Sequence, residues 1–197
     1  MSRNVNQQSI LNKNRLDKFV LVFQLPDALK KIKKHNNRSN DNVDEDAFQM
    51  SVFGAVVPPI TVAAIQIPFA GSNLYNSSHA KEPYPPIQVN FVIDNEFNNY
   101  WTIYKWLDLM HDDKTGLFDE DRLVERTDNG PLQFNDYQTD LTLYGLDEFN
   151  NRRIEFTYTK AFPITLGSID FNYRDSGEIQ GSATFVFSQI HTKLLDT

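Results

Sequence analysis

The sequence predicts a mainly β (α+β) fold, an antiparallel β-sandwich or partly closed barrel with one packed α-helix. Short apolar runs, several of them alternating in polarity, recur along the chain and are separated by turn residues. Phenylalanine (15 residues) and tyrosine (8 residues), which favour strands, are abundant. A single stretch near the middle of the chain has helical spacing instead.

About eight strands are expected. They are 18–26, 47–59, 61–71, 87–94, 136–146, 152–163, and a terminal hairpin of 167–173 and 181–190. Pro68 places its strand at an edge or a bulge, since proline lacks an N–H group. The polar segment 72–86 is rich in turn-forming residues and is predicted to be a connection. Asp175, Ser176 and Gly177 are expected to supply the positive φ of the hairpin turn.

The predicted helix is 94–112, with Asp94 as a candidate N-cap. Aromatic residues recur along it at helical spacing, and such a stripe usually packs into a core. We therefore expect one face of the helix to pack on the sheet. That face is Phe97, Tyr100, Trp101, Tyr104 and Leu107.

The chain of 197 residues suits a single domain. We assign 18–190 to this domain, with insertion loops at 27–46 and 112–135. Residues 1–17 are expected to form a flexible arm and 191–197 a C-terminal tail. No internal repeat indicates a solenoid or a propeller.

Composition excludes several function classes. The net charge of −7 argues against a nucleic-acid-binding module, which needs clustered Lys and Arg. No apolar run is long enough for a membrane helix, and the polar N-terminus lacks the apolar core of a signal peptide. With no cysteine in the chain, disulfides and thiolate metal sites are excluded, and synthesis in a reducing cytoplasm is expected.

No motif for catalysis, a metal or a cofactor is found. The histidines are not at metal-ligand spacing, and no nucleophile motif or glycine-rich phosphate loop is present. A pair of carboxylates for glycoside hydrolysis stays open, with Glu155 and Asp170 as the strand candidates. We expect a protein that is not an enzyme and has no cofactor.

The last third of the chain carries an ordered set of features. An aromatic-Pro-x-x-x-Gly segment is followed by alternating apolar residues, a polar turn with Glu-Ile and a final strand. The residues are Phe162, Pro163, Gly167, Ile169, Phe171, Tyr173, Glu178 and Ile179. With the preceding aromatic helix, this order resembles the tail tube proteins of T4-like contractile-tailed bacteriophages and of related contractile injection systems.

The resemblance implies a structural subunit of the virion tail, made in the host bacterial cytoplasm. Such subunits form homohexameric rings that stack head to tail, and strands of neighbours join into a barrel around a lumen. The sheath, baseplate and tail-terminator proteins are the implied partners. Genomic DNA would pass only transiently, and an acidic balance would keep its phosphates from adhering.

Two alternatives stay open. The chain could be a tube-like baseplate initiator or tail-terminator ring of the same fold. It could instead be a β-sandwich that binds a glycan or a receptor, for which the loop 83–86 (PYPP) is the aromatic candidate.

Overall fold

The structure is a computed structural model that describes residues 13–26, 29, 51–110, 137–174 and 176–195. Nine strands and one helix lie in this part of the chain. The strands are β1 (Phe19–Phe23), β2 (Val52–Ala55), β3 (Val62–Phe69), β4 (Ser72–Lys81), β5 (Ile87–Val92), β6 (Thr139–Leu146), β7 (Arg152–Leu166), β8 (Gln180–Val186) and β9 (Gln189–Leu194). The helix α1 is Asn98–Met110 and lies between β5 and β6.

Seven strands form one antiparallel sheet in the order β1-β6-β7-β8-β5-β2, and β9 pairs with β7 outside this order. The 15-residue strand β7 joins two halves of the sheet. Its Ile154–Thr159 part pairs with both β6 and β9, whereas its Phe162–Leu166 part pairs with β8. We call β1, β6, β9 and the first part of β7 layer 1, and β2, β5, β8 and the last part of β7 layer 2.

The two layers fold against each other and enclose the core. The ring centroids of Phe23 in β1 and Phe185 in β8 are 5.7 Å apart, although β6 and β7 separate these strands in the sheet. Trp106 of α1 meets the same Phe185 ring at 6.0 Å. The antiparallel fold with one packed helix is thus confirmed. Of the two forms left open by the sequence, the described residues form an open sheet that is not closed into a barrel.

The alternation predicted for 87–94 is confirmed by burial. Ile87, Val89 and Phe91 are buried in the core, while Gln88 is exposed. A strand with one face in the core and one face toward water is expected to show this pattern.

The prediction of a connection at 72–86 is wrong for its first ten residues, which form β4 and pair with β3. The two strands meet at Ala70 and Gly71, both with positive φ (47° and 81°). A two-residue turn with positive φ at both positions matches the twist of an antiparallel hairpin. Because β4 is rich in serine and asparagine, it has no apolar alternation from which a strand could be predicted.

The predicted hairpin of 167–173 and 181–190 is wrong in its first strand. Strand β7 continues only to Leu166, and the described residues of 167–179 have no regular secondary structure. Gly177 does not adopt the positive φ expected of the turn, and Asp175 lies outside the described residues. The predicted tail 191–197 is also corrected, because β9 extends to Leu194 and pairs with β7.

Other predicted segments lie outside the described residues. These are the insertion loops 27–46 and 112–135, apart from Leu29, which is buried in the core. Of the predicted arm 1–17, only the last five residues are described. The assignment of 18–190 to one domain stays a prediction.

Gly167 lies where the chain leaves β7, and its N–H donates to the carbonyl oxygen of Ser182 at 2.7 Å. A Cβ at this position would collide with the Ser182 side chain and lie 3.1 Å from its carbonyl oxygen. We expect Gly167→Ala to lower the free energy of unfolding by about 1–3 kcal/mol, and Gly167→Val by more, because the close approach of the strands must open. Urea denaturation measures the loss.

Gly177→Ala is the matched control, since no atom lies within 4 Å of the added Cβ. Its effect should stay below about 0.5 kcal/mol. Equal losses in the two alanine variants would contradict the role given to Gly167.

Candidate assembly surfaces

Strands β3 and β4 form a ribbon, a two-stranded sheet separate from the seven-stranded one, with two unlike faces. Cross-strand partners share a face, and Ile67 pairs with Leu74. The alternation of β3 adds Ile65 and Phe69 to this side. These four side chains, the apolar face of the ribbon, are between 41% and 64% exposed. The described part of the chain therefore leaves them in water.

The opposite face of the ribbon is polar. Gln66 pairs with Tyr75, and the Gln66 side-chain amide donates to the Tyr75 hydroxyl at 3.1 Å. Pro68 lies opposite Asn73 on the same face. Pro68 is tolerated because β3 is an edge strand of its own small sheet, as its sequence predicts.

Layer 1 has an unpaired edge at each end. In the described residues β1 pairs only with β6, and β9 pairs only with β7. The N–H of Leu195 donates to the Arg153 carbonyl oxygen at 2.9 Å. By antiparallel alternation, the N–H groups of Thr192 and Leu194 then point away from β7. Such an edge is a template for pairing with another chain.

The side of layer 1 that faces away from the core is largely polar, and we call it the outer face of layer 1. The register places side chains of all four strands in rows across it. The rows are Val20–Tyr144–Glu155–Lys193 and Val22–Thr142–Thr157–His191. The carboxylate of Glu155 is thus opposite the ammonium of Lys193, and the neighbouring row holds two threonines.

Helix α1 packs on the sheet through a face different from the predicted one. Phe97 and Trp101, which were expected to pack, are 36% and 43% exposed. Tyr100 is partly buried against the core, and Tyr104 and Leu107 are half-buried beside β7. The buried residues are Asn99, Thr102, Ile103 and Trp106.

Hydrogen bonds explain why polar residues occupy the buried face. The Asn99 side-chain amide donates to the Val92 carbonyl oxygen at 2.7 Å, and the Thr102 hydroxyl donates to the Asn98 carbonyl oxygen at 2.7 Å. Buried polar groups are tolerated when they are satisfied in this way. The sequence prediction followed only the aromatic stripe and missed the amide and the hydroxyl.

A groove of about 600 Å³ lies between α1 and the last part of β7, and we call it the α1–β7 groove. Its helix side is formed by Tyr100, Tyr104, Leu107 and Met110, and its strand side by Phe162–Leu166. Lys105 and Asp108 form an ion pair of 3.1 Å on the same helix.

The motif residues of the last third are divided between core and surface. Pro163 is fully buried in β7, while Phe162 packs with the edge of its ring against Tyr137 at a centroid distance of 5.4 Å. Ile169 and Ile179 are partly buried against the core. Phe171, Tyr173 and Glu178 are exposed, and Gly167 makes the close approach to Ser182 described above.

The groups with clearly shifted pKa have structural roles. Burial alone would raise the pKa of Asp147, but hydrogen bonds outweigh it and lower the pKa to about 2. Its carboxylate accepts from the N–H groups of Phe149 and Asn151 at 2.8 Å and from the Arg153 guanidinium at 3.0 Å. Burial raises the pKa of Tyr158, whose hydroxyl donates to the Val56 carbonyl oxygen at 3.3 Å.

The other candidate sites lose support. Glu155 lies near the start of β7 and Asp170 beyond its end, so they do not form a carboxylate pair. Tyr84 of the loop 83–86 is half-buried against Phe187, with ring centroids 5.4 Å apart, and is not a free platform for a glycan. Among the described residues no cluster of three potential ligands could hold a metal ion, and no helix could span a membrane.

Comparison with known proteins bears on these surfaces. The family model described as phage tail tube protein matches residues 15–193. No curated protein sequence matches the chain.

Solved structures show a similar fold at low identity. One is the tube-terminating cap of the anti-feeding prophage, 12% identical, with a TM-score of 0.58 over 99% of this chain and 100% of that chain. Another is the sheath–tube complex of an extracellular contractile injection system, 10% identical, with a TM-score of 0.55 over 98% of this chain and 100% of that chain. The sheath/tube terminator of such a system is 11% identical, with a TM-score of 0.54 over 94% of this chain and 99% of that chain. The family is one of structural proteins, so the prediction that the chain is not an enzyme is confirmed.

The Asp147 carboxylate generates a pH prediction. Because its pKa is lowered from 3.8 to about 2 on folding, its stabilising contribution is present above pH 3.8 and is lost as the pH falls toward 2. We expect Asp147→Asn to lower stability at pH 7 and the difference from the unmodified chain to shrink between about pH 4 and pH 2. Urea midpoints over this range test it, with Glu82→Gln as an exposed control. A difference that is constant with pH would contradict the assignment.

Proposed function

The chain belongs to the phage tail tube protein family, and from that premise we propose that it is a structural subunit that forms hexameric rings around a lumen. The rings stack head to tail into the tube of a contractile tail, through which DNA is delivered to the host. The observation that carries this proposal is the apolar face of the ribbon, which the residues described by the structure leave uncovered.

Burial of the ribbon is expected to drive stacking. A two-stranded ribbon is marginally stable alone in water. Fully burying an exposed aliphatic or aromatic side chain contributes roughly 1.5–3 kcal/mol, and these side chains, between 41% and 64% exposed, have part of that still to gain. Four such side chains on one face of the ribbon supply a strong preference for a partner surface, and in a homopolymer that surface belongs to another copy. A contact between different surfaces of two copies does not close on itself and builds a filament.

Closure of the ring uses the edges of layer 1. When β9 of one copy pairs with β1 of the next, both unpaired edges are satisfied, and six copies form one continuous barrel. The outer face of layer 1 then lines the lumen. Its rows place Lys193 opposite the Glu155 carboxylate and the Arg152 guanidinium over the Tyr144 ring at 4.3 Å, beside two threonines, so the cations are few and partly balanced. Such a wall does not hold DNA phosphates, so DNA can pass through it.

The implied partners are the sheath on the outside of the tube and the baseplate and terminator at its ends. The chain would be synthesised in the host cytoplasm and would reside in the virion tail.

A second candidate is a ring at the end of the tube, a terminator or initiator of the same fold. The similarity to a tube-terminating cap, which is as strong as the similarity to a tube complex, favours it. An end ring would form hexamers that do not lengthen, whereas a tube subunit would form polymers whose length grows with concentration.

Negative-stain electron microscopy of the purified chain, with mass measured by light scattering, tests the proposal. We expect hexameric rings or tubes for the unmodified chain. Ile67→Asp puts a charge on the apolar face of the ribbon and should abolish stacking. Gln66→Asp puts the same charge on the polar face and should leave stacking intact. A chain that stays monomeric at all concentrations, or equal behaviour of the two variants, would overturn the role of the ribbon.

The edge of β9 is tested separately. Thr192→Pro removes an N–H that points away from β7, so it should block pairing with a neighbour and prevent ring closure. Thr192→Ala keeps the N–H and should form rings. Circular dichroism checks that both variants are folded. Normal rings from the proline variant would show that β9 does not form the contact between subunits.

A further inference from the structure

Residues 168–174 have the pattern of a strand but do not form one in the single chain. Ile169, Phe171 and Tyr173 alternate with polar residues, which is typical of a strand with one buried face. Ile169 is partly buried, whereas Phe171 is 73% exposed and Tyr173 is fully exposed. The apolar side of this pattern is thus presented to water.

The neighbouring ladder could accommodate a longer strand. The pairing of β7 with β8 reaches Gly167, whose N–H bonds to Ser182. In the partner strand, the residue before β8 extends the pairing with β5. The carbonyl oxygen of Ile179 accepts from the Ile93 N–H at 2.9 Å. Residues 168–174 nevertheless remain irregular. No described strand of the chain pairs with them.

The α1–β7 groove has the complementary chemistry. It is lined by tyrosine, leucine and methionine side chains, which make favourable contacts with aromatic rings. Lys105 and Asp108 on α1, which pair with each other at 3.1 Å, place one positive and one negative charge on the helix side of the groove. Asp170 and Arg174, which flank the two exposed aromatics, offer the opposite charges.

We propose that residues 168–174 bind a second copy of this chain, with Phe171 and Tyr173 entering its α1–β7 groove. The inference rests on the proposed function, because it needs subunits that assemble. Segment and groove are formed by different residues, so a contact between the segment of one copy and the groove of another is heterologous and repeats from copy to copy. Binding orders the segment as a continuation of β7 and covers both aromatics.

Engineered cysteines test the contact directly, since the chain has none of its own. We expect Tyr173→Cys combined with Leu107→Cys, oxidised after assembly, to give a ladder of covalent oligomers on a non-reducing gel. Each chain then links to a neighbour on both sides. Either cysteine alone should give nothing beyond a dimer.

The control pair is Phe149→Cys with Leu107→Cys. Phe149 is also exposed, but it lies in the turn at the other end of β7. The control pair should give no ladder of covalent oligomers. A ladder from the control pair, or none from the Tyr173 and Leu107 pair in assembled protein, would overturn the proposal.

Side-chain truncation gives an independent readout. Phe171→Ala with Tyr173→Ala should raise the concentration needed for assembly by at least about tenfold, as truncation of a central aromatic contact does. Phe171→Leu with Tyr173→Phe keeps the apolar bulk and should assemble nearly normally. Unchanged assembly of the alanine variant would reject this inference and leave the proposed function standing. An unmodified chain that never assembles would reject both.

Discussion

Strand β7 holds the two layers of the fold together, because one continuous backbone pairs with β6 and β9 in layer 1 and with β8 in layer 2. Strands β8 and β9 pair with β7 in one register, apart from the break at Phe187 and Ser188 and a register shift between Pro163 and Thr165. This shared strand lets the sheet fold over and bring Phe23 against Phe185 in the core. The groove beside α1, the edge of β9 and the irregular segment 168–174 all have their positions set by β7.

The same constraint leaves the single chain with surfaces that it cannot satisfy. In the described residues, layer 1 presents unpaired edges at β1 and β9, and layer 2 presents one at β2. The ribbon pairs its own backbone groups but leaves its apolar face in water. Unpaired edges and exposed apolar faces are liabilities for a monomer. In a family of tube subunits, they are expected to be the surfaces through which copies associate.

Much of the layered fold could be predicted from the sequence, because strands with one face in the core alternate clearly, as in 87–94. The ribbon was missed because β4 is stabilised by its turn and by backbone pairing, neither of which requires apolar alternation. The buried face of α1 was missed because Asn99 and Thr102 are buried through hydrogen bonds. The strand predicted at 167–173 has the right pattern but no partner strand among the described residues.

Hydrogen–deuterium exchange tests most directly the claim that copies of the chain cover these surfaces. The comparison is between assembled particles and the monomer obtained by diluting the chain below the concentration needed for assembly. The account predicts that amides of β9, above all those of Thr192 and Leu194, exchange much more slowly in the particle. The buried amides of β5 and β8 should exchange alike in both. Equal exchange of β9 in particle and monomer would contradict the account.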